Sequence, residues 1–409
     1  KYWDELRAGN ISNKDWQDVE AGIARSYGHC MTMGTASTMT AITEAMGLSL
    51  PGASSIPAAD SNHIRMSTNV GRRIVDMVWE DLTPSKIVTE KSVDNAVTVA
   101  MAMGCSTNAI IHLIAMARRA GINLTMDDLD KKGREIPLIA NTRPSGKNYL
   151  MEDFFYAGGI LALMHELTAK LNLDEVTVSG LSLRDLISKT KTINDDIIRP
   201  LNNPIYEEGS LAVLKGNLAP DGCVIKPAAC DKKFFKHKGP AIVFNSYPEM
   251  KAIIDREDFD VTEDHVLVVR NVGPVGGPGM PEWGMMPIPQ KLLKKGVRDM
   301  VRISDARMSG TSYGACILHV APESYIGGPL SLLETGDIIE LDVNLRSINM
   351  LVDEKTLSLR KKESKAMEPK AGRGWLWMYS NHVTQANNGC DFDFLETNFG
   401  TSAKEPDIF

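Results

Sequence analysis

Glu282 stands at the end of a run rich in glycine and proline, Gly273-Pro274-Val275-Gly276-Gly277-Pro278-Gly279, which continues as Met280-Pro281-Glu282-Trp283. Further along, Asp305-Ala306-Arg307-Met308-Ser309-Gly310-Thr311 follows the β-branched run from Met300 to Ile303. A loop carboxylate such as Glu282 is a ligand for a hard cation. A serine in a tight turn of small residues, such as Ser309, is a hydroxyl that backbone groups can surround and activate. Far upstream, Gly28-His29-Cys30 puts a lone cysteine at the mouth of a predicted helix, where the helix N-terminus favours thiolate and metal ligation. The three together point to metal-assisted chemistry on a small, oxygen-rich molecule.

Each feature also has a plainer reading. The glycine run is a poor phosphate loop, because Pro274 and Pro278 remove N–H donors and no Gly-Lys-Ser/Thr follows. A turn that brings backbone close to a small ligand fits it better. Taken singly, Glu282 reads as a solvated glutamate and Cys30 as a small apolar residue. Gly310-Thr311-Ser312-Tyr313-Gly314 matches the nucleophile-elbow pattern, and Asp342 and His382 follow in hydrolase order. The segment from Ala315 to Val320 is short and runs into Pro322, so no elbow helix follows, and a serine hydrolase using Ser312 stays a remote alternative.

The elements that must position these residues change character along the chain. At 409 residues, two domains are expected. The spacing predicts helices over Thr35 to Met46, Ser92 to Met103, Thr107 to Ala120 and Phe154 to Leu171, with a short strand from Val176 to Ser179. This makes residues 1–208 an α/β layered part. After Pro200 to Pro204, strand-like runs separated by Gly/Pro turns cover Leu211 to Leu214, Cys223 to Ile225, Ala241 to Phe244, His265 to Arg270, Met300 to Ile303, Ile338 to Leu341 and Ile348 to Val352. They predict a β-barrel-like domain over residues 209–409 that carries Ser309.

Hydrophobic residues make up 43% and charged residues 24%, as in ordinary globular proteins. The net charge of −7 argues against nucleic acid or an anionic membrane as partner. No apolar stretch reaches the roughly 18 residues that span a bilayer. The six cysteines contain no C-x-x-C pair, which fits free thiols in a reducing, cytoplasmic setting. The opening Lys1-Tyr2-Trp3-Asp4 reads like the middle of a helix, so the chain is expected to begin inside a larger protein.

Several motifs in order give the chain a family resemblance: Gly28-His29-Cys30, Gly47-Leu48-Ser49-Leu50-Pro51-Gly52, Ser106-Thr107-Asn108-Ala109, Asn203-Pro204-Ile205-Tyr206, Leu214-Lys215-Gly216-Asn217-Leu218-Ala219-Pro220, Gly276 to Glu282, and Ser309-Gly310-Thr311. Over essentially its whole length the sequence resembles the dihydroxy-acid and sugar-acid dehydratases, which include phosphogluconate dehydratase. The resemblance implies a [2Fe–2S] cluster held by three cysteines, with Cys30 as the most C-terminal of them, and a neighbouring Mg²⁺ with Glu282 as one ligand. It implies Ser309 as the proton-abstracting base and Thr311 as a substrate-contacting hydroxyl. It also implies a homodimer or homotetramer. The other cluster cysteines and Mg²⁺ ligands of the family match nothing in these 409 residues, so the chain alone is expected to be inactive.

Pro281-Glu282-Trp283-Gly284-Met285-Met286-Pro287 looks like the aldonate branch, which converts sugar acids to 2-keto-3-deoxy acids. The branched-chain dihydroxy-acid and phosphogluconate enzymes are the alternatives. Ser312, Tyr313, Asn62 and His63 are candidate partners for a polyol tail. The sequence does not say which sugar acid is bound.

Overall fold

The computed structural model describes residues 2–23, 26–310, 313–364 and 367–396. Helices fill the first half: α1 Tyr2–Ala8, α2 Asn13–Ile23, α3 Thr35–Ala45, α4 Ser61–Trp79, α5 Pro84–Ile87, α6 Glu90–Met103, α7 Ala109–Arg119, α8 Met126–Glu135, α9 Met151–Tyr156, α10 Gly159–Glu166 and α11 Leu183–Ile187. At the centre lies α6, whose residues from Ser92 to Met103 are all buried apart from Asp94. A helix apolar all round has to be an internal one. The side chain of Thr89 caps its start, accepting from the Ser92 N–H at 3.1 Å, and Gly104 ends it at φ +83°.

Two expectations for this half are corrected. The helix predicted from Phe154 to Leu171 is broken between α9 and α10, because Gly158 (φ +114°) and Gly159 (φ +63°) both take left-handed backbone. The break lets another segment approach: a Cβ on Gly159 would lie 2.7 Å from Ser55 Oγ. The strand predicted from Val176 to Ser179 is a single antiparallel bridge, Val176 to Ser182. Four β-branched or small residues that run straight into a turn at Gly180 have no neighbouring strand to pair with. Among the described residues before Ala212, β-structure amounts to isolated bridges.

The second half closes into a barrel. Its strands are β1 Ala212–Gly216, β2 Ala219–Ile225, β3 Lys236–Phe244, β4 Val266–Val269, β5 Arg302–Ser304, β6 Cys316–Ala321, β7 Ile338–Asp342 and β8 Ser347–Met350, ordered β1-β2-β6-β5-β4-β3-β7-β8. The ring closes where Lys215 of β1 pairs with Ser347 of β8. From β3 through β4 and β5 to β6 the pairing is parallel. Strands β4, β5 and β6 are buried along their whole length, as expected where parallel strands are covered on both faces. Continuous burial explains why β6 lacks the alternating pattern that marked other strands. Parallel neighbours need long connections, and those after β4 and β5 carry Glu282 and Ser309.

The Gly47 to Gly52 motif acquires a physical role here. Glu44 of α3 is buried, and its carboxylate accepts the N–H groups of Gly52 at 2.5 Å and Ser54 at 2.9 Å, folding the loop over the helix end. Burial pushes its pKa from the ordinary 4.5 up to about 7. The folded chain therefore holds a proton that the unfolded chain releases between these values, and stability falls as pH rises through that window. Relative to Glu44→Gln, the wild type should lose about 3 kcal/mol between about pH 4.5 and pH 8. Urea unfolding of both proteins measures this, and parallel stability profiles would refute it.

Candidate active site at the seam between helices and barrel

The turn that carries Ser309 is clamped from both sides. On the barrel side, Ala306 N–H donates to Ser304 Oγ at 3.0 Å, and Gly284 N–H donates to Arg307 C=O at 2.8 Å. On the helical side, Asn108 at the head of α7 donates through Nδ2 to Met308 C=O at 3.1 Å and to Thr35 Oγ1 at 3.0 Å. Thr35 Oγ1 in turn lies 2.9 Å from Ser106 Oγ. Gly310 sits against this pair so closely that a Cβ would stand 2.7 Å from Ser106 Oγ and 2.9 Å from the Thr35 nitrogen. Lys226, buried after β2, crosses the same seam to donate to Gly104 C=O at 2.9 Å.

Glu282 is brought to the same place by its own loop. The N–H groups of Val275 and Gly276 donate to the buried Glu323 carboxylate at 2.8 and 2.9 Å. Those of Asn271 and Val272 donate to buried Asp305 at 3.2 and 3.1 Å. Part of this glycine run thus folds onto the protein's own carboxylate. Burial raises the pKa of both acids, and in Glu323 the charge of Asp305 adds to the effect.

Past the anchors, the Trp283 ring stacks on Tyr247 with centroids 5.5 Å apart. Arg307 donates to Met280 C=O and stands 3.8 Å from the Glu282 carboxylate. Arg302, wholly buried in β5, ties the two connections together by donating to Met286 C=O at 3.0 Å and Tyr313 C=O at 3.2 Å. Asp299 at 3.1 Å balances its charge.

Cys30 does not sit at the helix mouth as expected. Gly34 is the N-cap of α3, and Cys30 lies exposed in the preceding loop, where Sγ is 3.8 Å from Thr32 C=O. The loop is fixed by Met33 N–H donating to Arg143 C=O and Met151 N–H to Met31 C=O, both at 2.8 Å. Thr35, which packs on Gly310, lies five positions after Cys30, a span of at most about 18 Å when fully extended. Thr311 and Ser312 lie outside the described residues. Tyr313 lines a cavity at the seam, whereas Asn62 and His63 are exposed in the first turn of α4. His382 pairs with Asp393 at 3.0 Å, and Asp342 accepts from Leu345 N–H, so the hydrolase order in sequence does not become a relay in space.

As ligands, Cys30 and Glu282 each suit one position: both are accessible, and neither is sequestered by a close ion pair. Among the described residues, no three His, Cys, Asp or Glu side chains form a group that could hold a metal ion.

Sequence reasoning missed two histidines here. His319 is wholly buried in β6 at φ +55°, and neither ring nitrogen has a hydrogen-bond partner. Burial, with His112 of α7 and Arg307 nearby, holds its pKa down to about 3, so the ring is neutral. The signal available in the sequence was a polar residue inside an apolar strand, as with Arg302.

With this geometry in place, known proteins give a consistent picture. The models of the dihydroxy-acid/6-phosphogluconate dehydratases match residues 1–186 (N-terminal part) and 196–390 (C-terminal part). The chain belongs to this family of dehydratases, which are hydro-lyases. It is 52% identical over 411 residues to a 6-deoxy-6-sulfo-D-gluconate dehydratase of Pseudomonas putida, covering 100% of this chain and 70% of the relative. An L-arabinonate dehydratase of Rhizobium leguminosarum bv. trifolii (strain WSM2304) is 44% identical over 398 residues, 97% of this chain and 69% of the relative. A dihydroxy-acid dehydratase of Methanococcus aeolicus is 39% identical over 388 residues, 94% of this chain and 69% of the relative.

The contact at Gly310 gives a direct test. Gly310→Ala has no room for its methyl against Thr35 and Ser106, and should cost about 1–3 kcal/mol of stability or displace the turn. A displacement near 1 Å lowers kcat by about 10²-fold. Thermal melting and kcat of the holoenzyme, measured together, read out both, and wild-type values of each would show that the seam is open.

Proposed function

We propose that the holoenzyme to which this chain contributes dehydrates a sugar acid, a 2,3-dihydroxy acid, to a 2-keto-3-deoxy acid, with Ser309 taking the C2 proton. The observation that carries this reading is the convergence of the Ser309 turn, the Glu282 loop and the loop after Cys30 on one seam. Cys30 would be one ligand of a [2Fe–2S] cluster and Glu282 one ligand of Mg²⁺. When bound, these groups supply Lewis acidity toward the departing hydroxyl and charge stabilisation at the carboxylate end.

The residues of the chain do the positioning. Bracing by Asn108, Gly284 and Ser304 fixes the Ser309 backbone, so Oγ meets C2–H without a search over conformations. A serine is a weak base at its ordinary pKa, so the charge of a bound Mg²⁺ would be needed to favour its alkoxide. The C2–H electron pair becomes the C2–C3 double bond as the C3 hydroxyl leaves with a proton as water. The enol then tautomerises to the keto acid. Thr311 would hold a substrate hydroxyl. All six cysteines are free, in keeping with a reducing cytoplasmic setting, and no helix among the described residues is long and apolar enough to cross a membrane.

Ser309→Ala in anaerobically prepared holoenzyme should lower kcat by about 10²–10⁴-fold while the visible absorption is kept. Keto-acid formation from a panel of aldonates measures it, and a variant with near-wild-type turnover would remove Ser309 from the chemistry.

We propose also that the working enzyme is a homodimer or homotetramer. Helix α4 supports this: none of its residues is buried, and Ile64, Val78 and Trp79 are 73%, 71% and 85% exposed. An unpartnered apolar helix face of that kind marks an interaction surface. Sedimentation should show an oligomer that Val78→Glu weakens; a wild-type monomer at micromolar concentration would contradict this assembly.

A further inference from the structure

Glu282 stands at the apex of a very tight turn. Trp283 N–H donates to Pro281 C=O at 2.7 Å, a three-residue closure with Glu282 in the middle. The Glu282 side chain is 42% exposed. A single hydrogen bond adds little net stability, so the direction of this carboxylate depends on what braces the residues around it. One brace comes from the Ser309 turn. Arg307 donates to Met280 C=O, and its own C=O accepts Gly284 N–H at 2.8 Å. Gly284 is held close: a Cβ there would stand 2.7 Å from the Arg307 carbonyl oxygen.

The other brace is aromatic. The Trp283 ring lies nearly parallel to that of Tyr247, with centroids 5.5 Å apart and planes inclined by 13°, an offset stack. Tyr247 opens α12 (Tyr247–Ile253), whose place is set independently of the Glu282 loop. Ser246 Oγ accepts Glu249 N–H at 3.3 Å, and the Glu249 carboxylate accepts Asn245 N–H at 2.7 Å. Met250 and Ile254 anchor the helix in the core of the barrel domain. Trp283 shares a peptide with Glu282, so a fixed indole fixes the plane from which the carboxylate projects. Both rings are half-buried at the edge of that core rather than inside it.

We propose that Tyr247 is a positioning residue for Mg²⁺ binding: through the Trp283 ring it holds Glu282 in the direction from which the carboxylate meets the cation. The proposal rests on the reading of Glu282 as a Mg²⁺ ligand and adds the residue that keeps this ligand ready. A ligand whose direction is set beforehand binds more tightly, because less freedom is lost on binding. Without the stack, Glu282 samples other directions, and the Arg307 guanidinium 3.8 Å away competes with the cation for its charge.

The test uses the full-length protein, prepared anaerobically with its cluster and freed of Mg²⁺ by chelation, and titrates Mg²⁺ itself by calorimetry. Tyr247→Phe keeps the stacked ring, whereas Tyr247→Leu keeps apolar bulk without it. Tyr247→Leu should raise the Kd for Mg²⁺ by about three- to tenfold, and Tyr247→Phe should stay within about twofold of wild type. The same shift should appear in the Mg²⁺ concentration that half-activates keto-acid formation. A merely structural role would lower the melting temperature and leave Kd in place. Trp283→Leu removes the stack from its other side and should match Tyr247→Leu, with no further loss in the double variant. A Kd for Tyr247→Leu within about twofold of wild type, or an equal loss in Tyr247→Phe, overturns the proposal. If Tyr247→Leu does not fold, Trp283→Leu decides by the same threshold. Glu282→Gln separates the two readings. Should it bind Mg²⁺ as wild type does, Glu282 is no ligand and both fall; should it lose Mg²⁺ while Tyr247→Leu does not, the role of Tyr247 falls alone.

Discussion

Everything at the seam between helices and barrel depends on a close approach of backbone to backbone. Gly310 lies against Thr35 and Ser106 with no space for a side chain, and Asn108 reaches over the contact to hold Met308 C=O. Because α7 starts at this point, the position of the helical half is set by the same few atoms that set the serine. A fixed crossing of this kind converts a flexible connection between parallel strands into a rigid support for the side chains it carries.

Buried charge supplies the second level of order. Asp305 and Glu323 sit side by side inside the barrel domain and are satisfied largely by backbone N–H groups of the loop leading to Glu282. Both acids pay for burial in raised pKa values, and each is kept only because several donors converge on it. Arg302 works in the opposite sense, with one buried cation gathering carbonyls from the connections after β4 and β5. Losing any of these groups would leave its partners buried and unsatisfied, a larger cost than the bond itself.

The neutral environment of His319 and the cationic one around Arg307 lie within the same seam. An unprotonated imidazole beneath the turn avoids placing another positive charge against Arg307 and His112. The cationic character that remains is therefore concentrated on Arg307, 3.8 Å from the Glu282 carboxylate.

Local pattern was enough to read the helices α3, α6 and α7, seven of the barrel strands, and the motifs around Cys30, Glu282 and Ser309, because periodicity, caps and turn residues act over a few positions. It failed at Gly158-Gly159, where apolar periodicity continues through a break that two left-handed residues impose. It failed at β6, whose apolar run is broken by His319 and ends just before Pro322. It failed at the glycine run, whose composition says that backbone approaches something but not that the partner is Glu323, far along the chain. The pairing of Cys30's loop with the Ser309 turn, the clamp by Asn108 and the charge balance of Arg302 were decided only by the tertiary structure. The first two are contacts between residues 200 or more positions apart, the third depends on burial, and no local propensity encodes which buried donor will meet which buried acceptor.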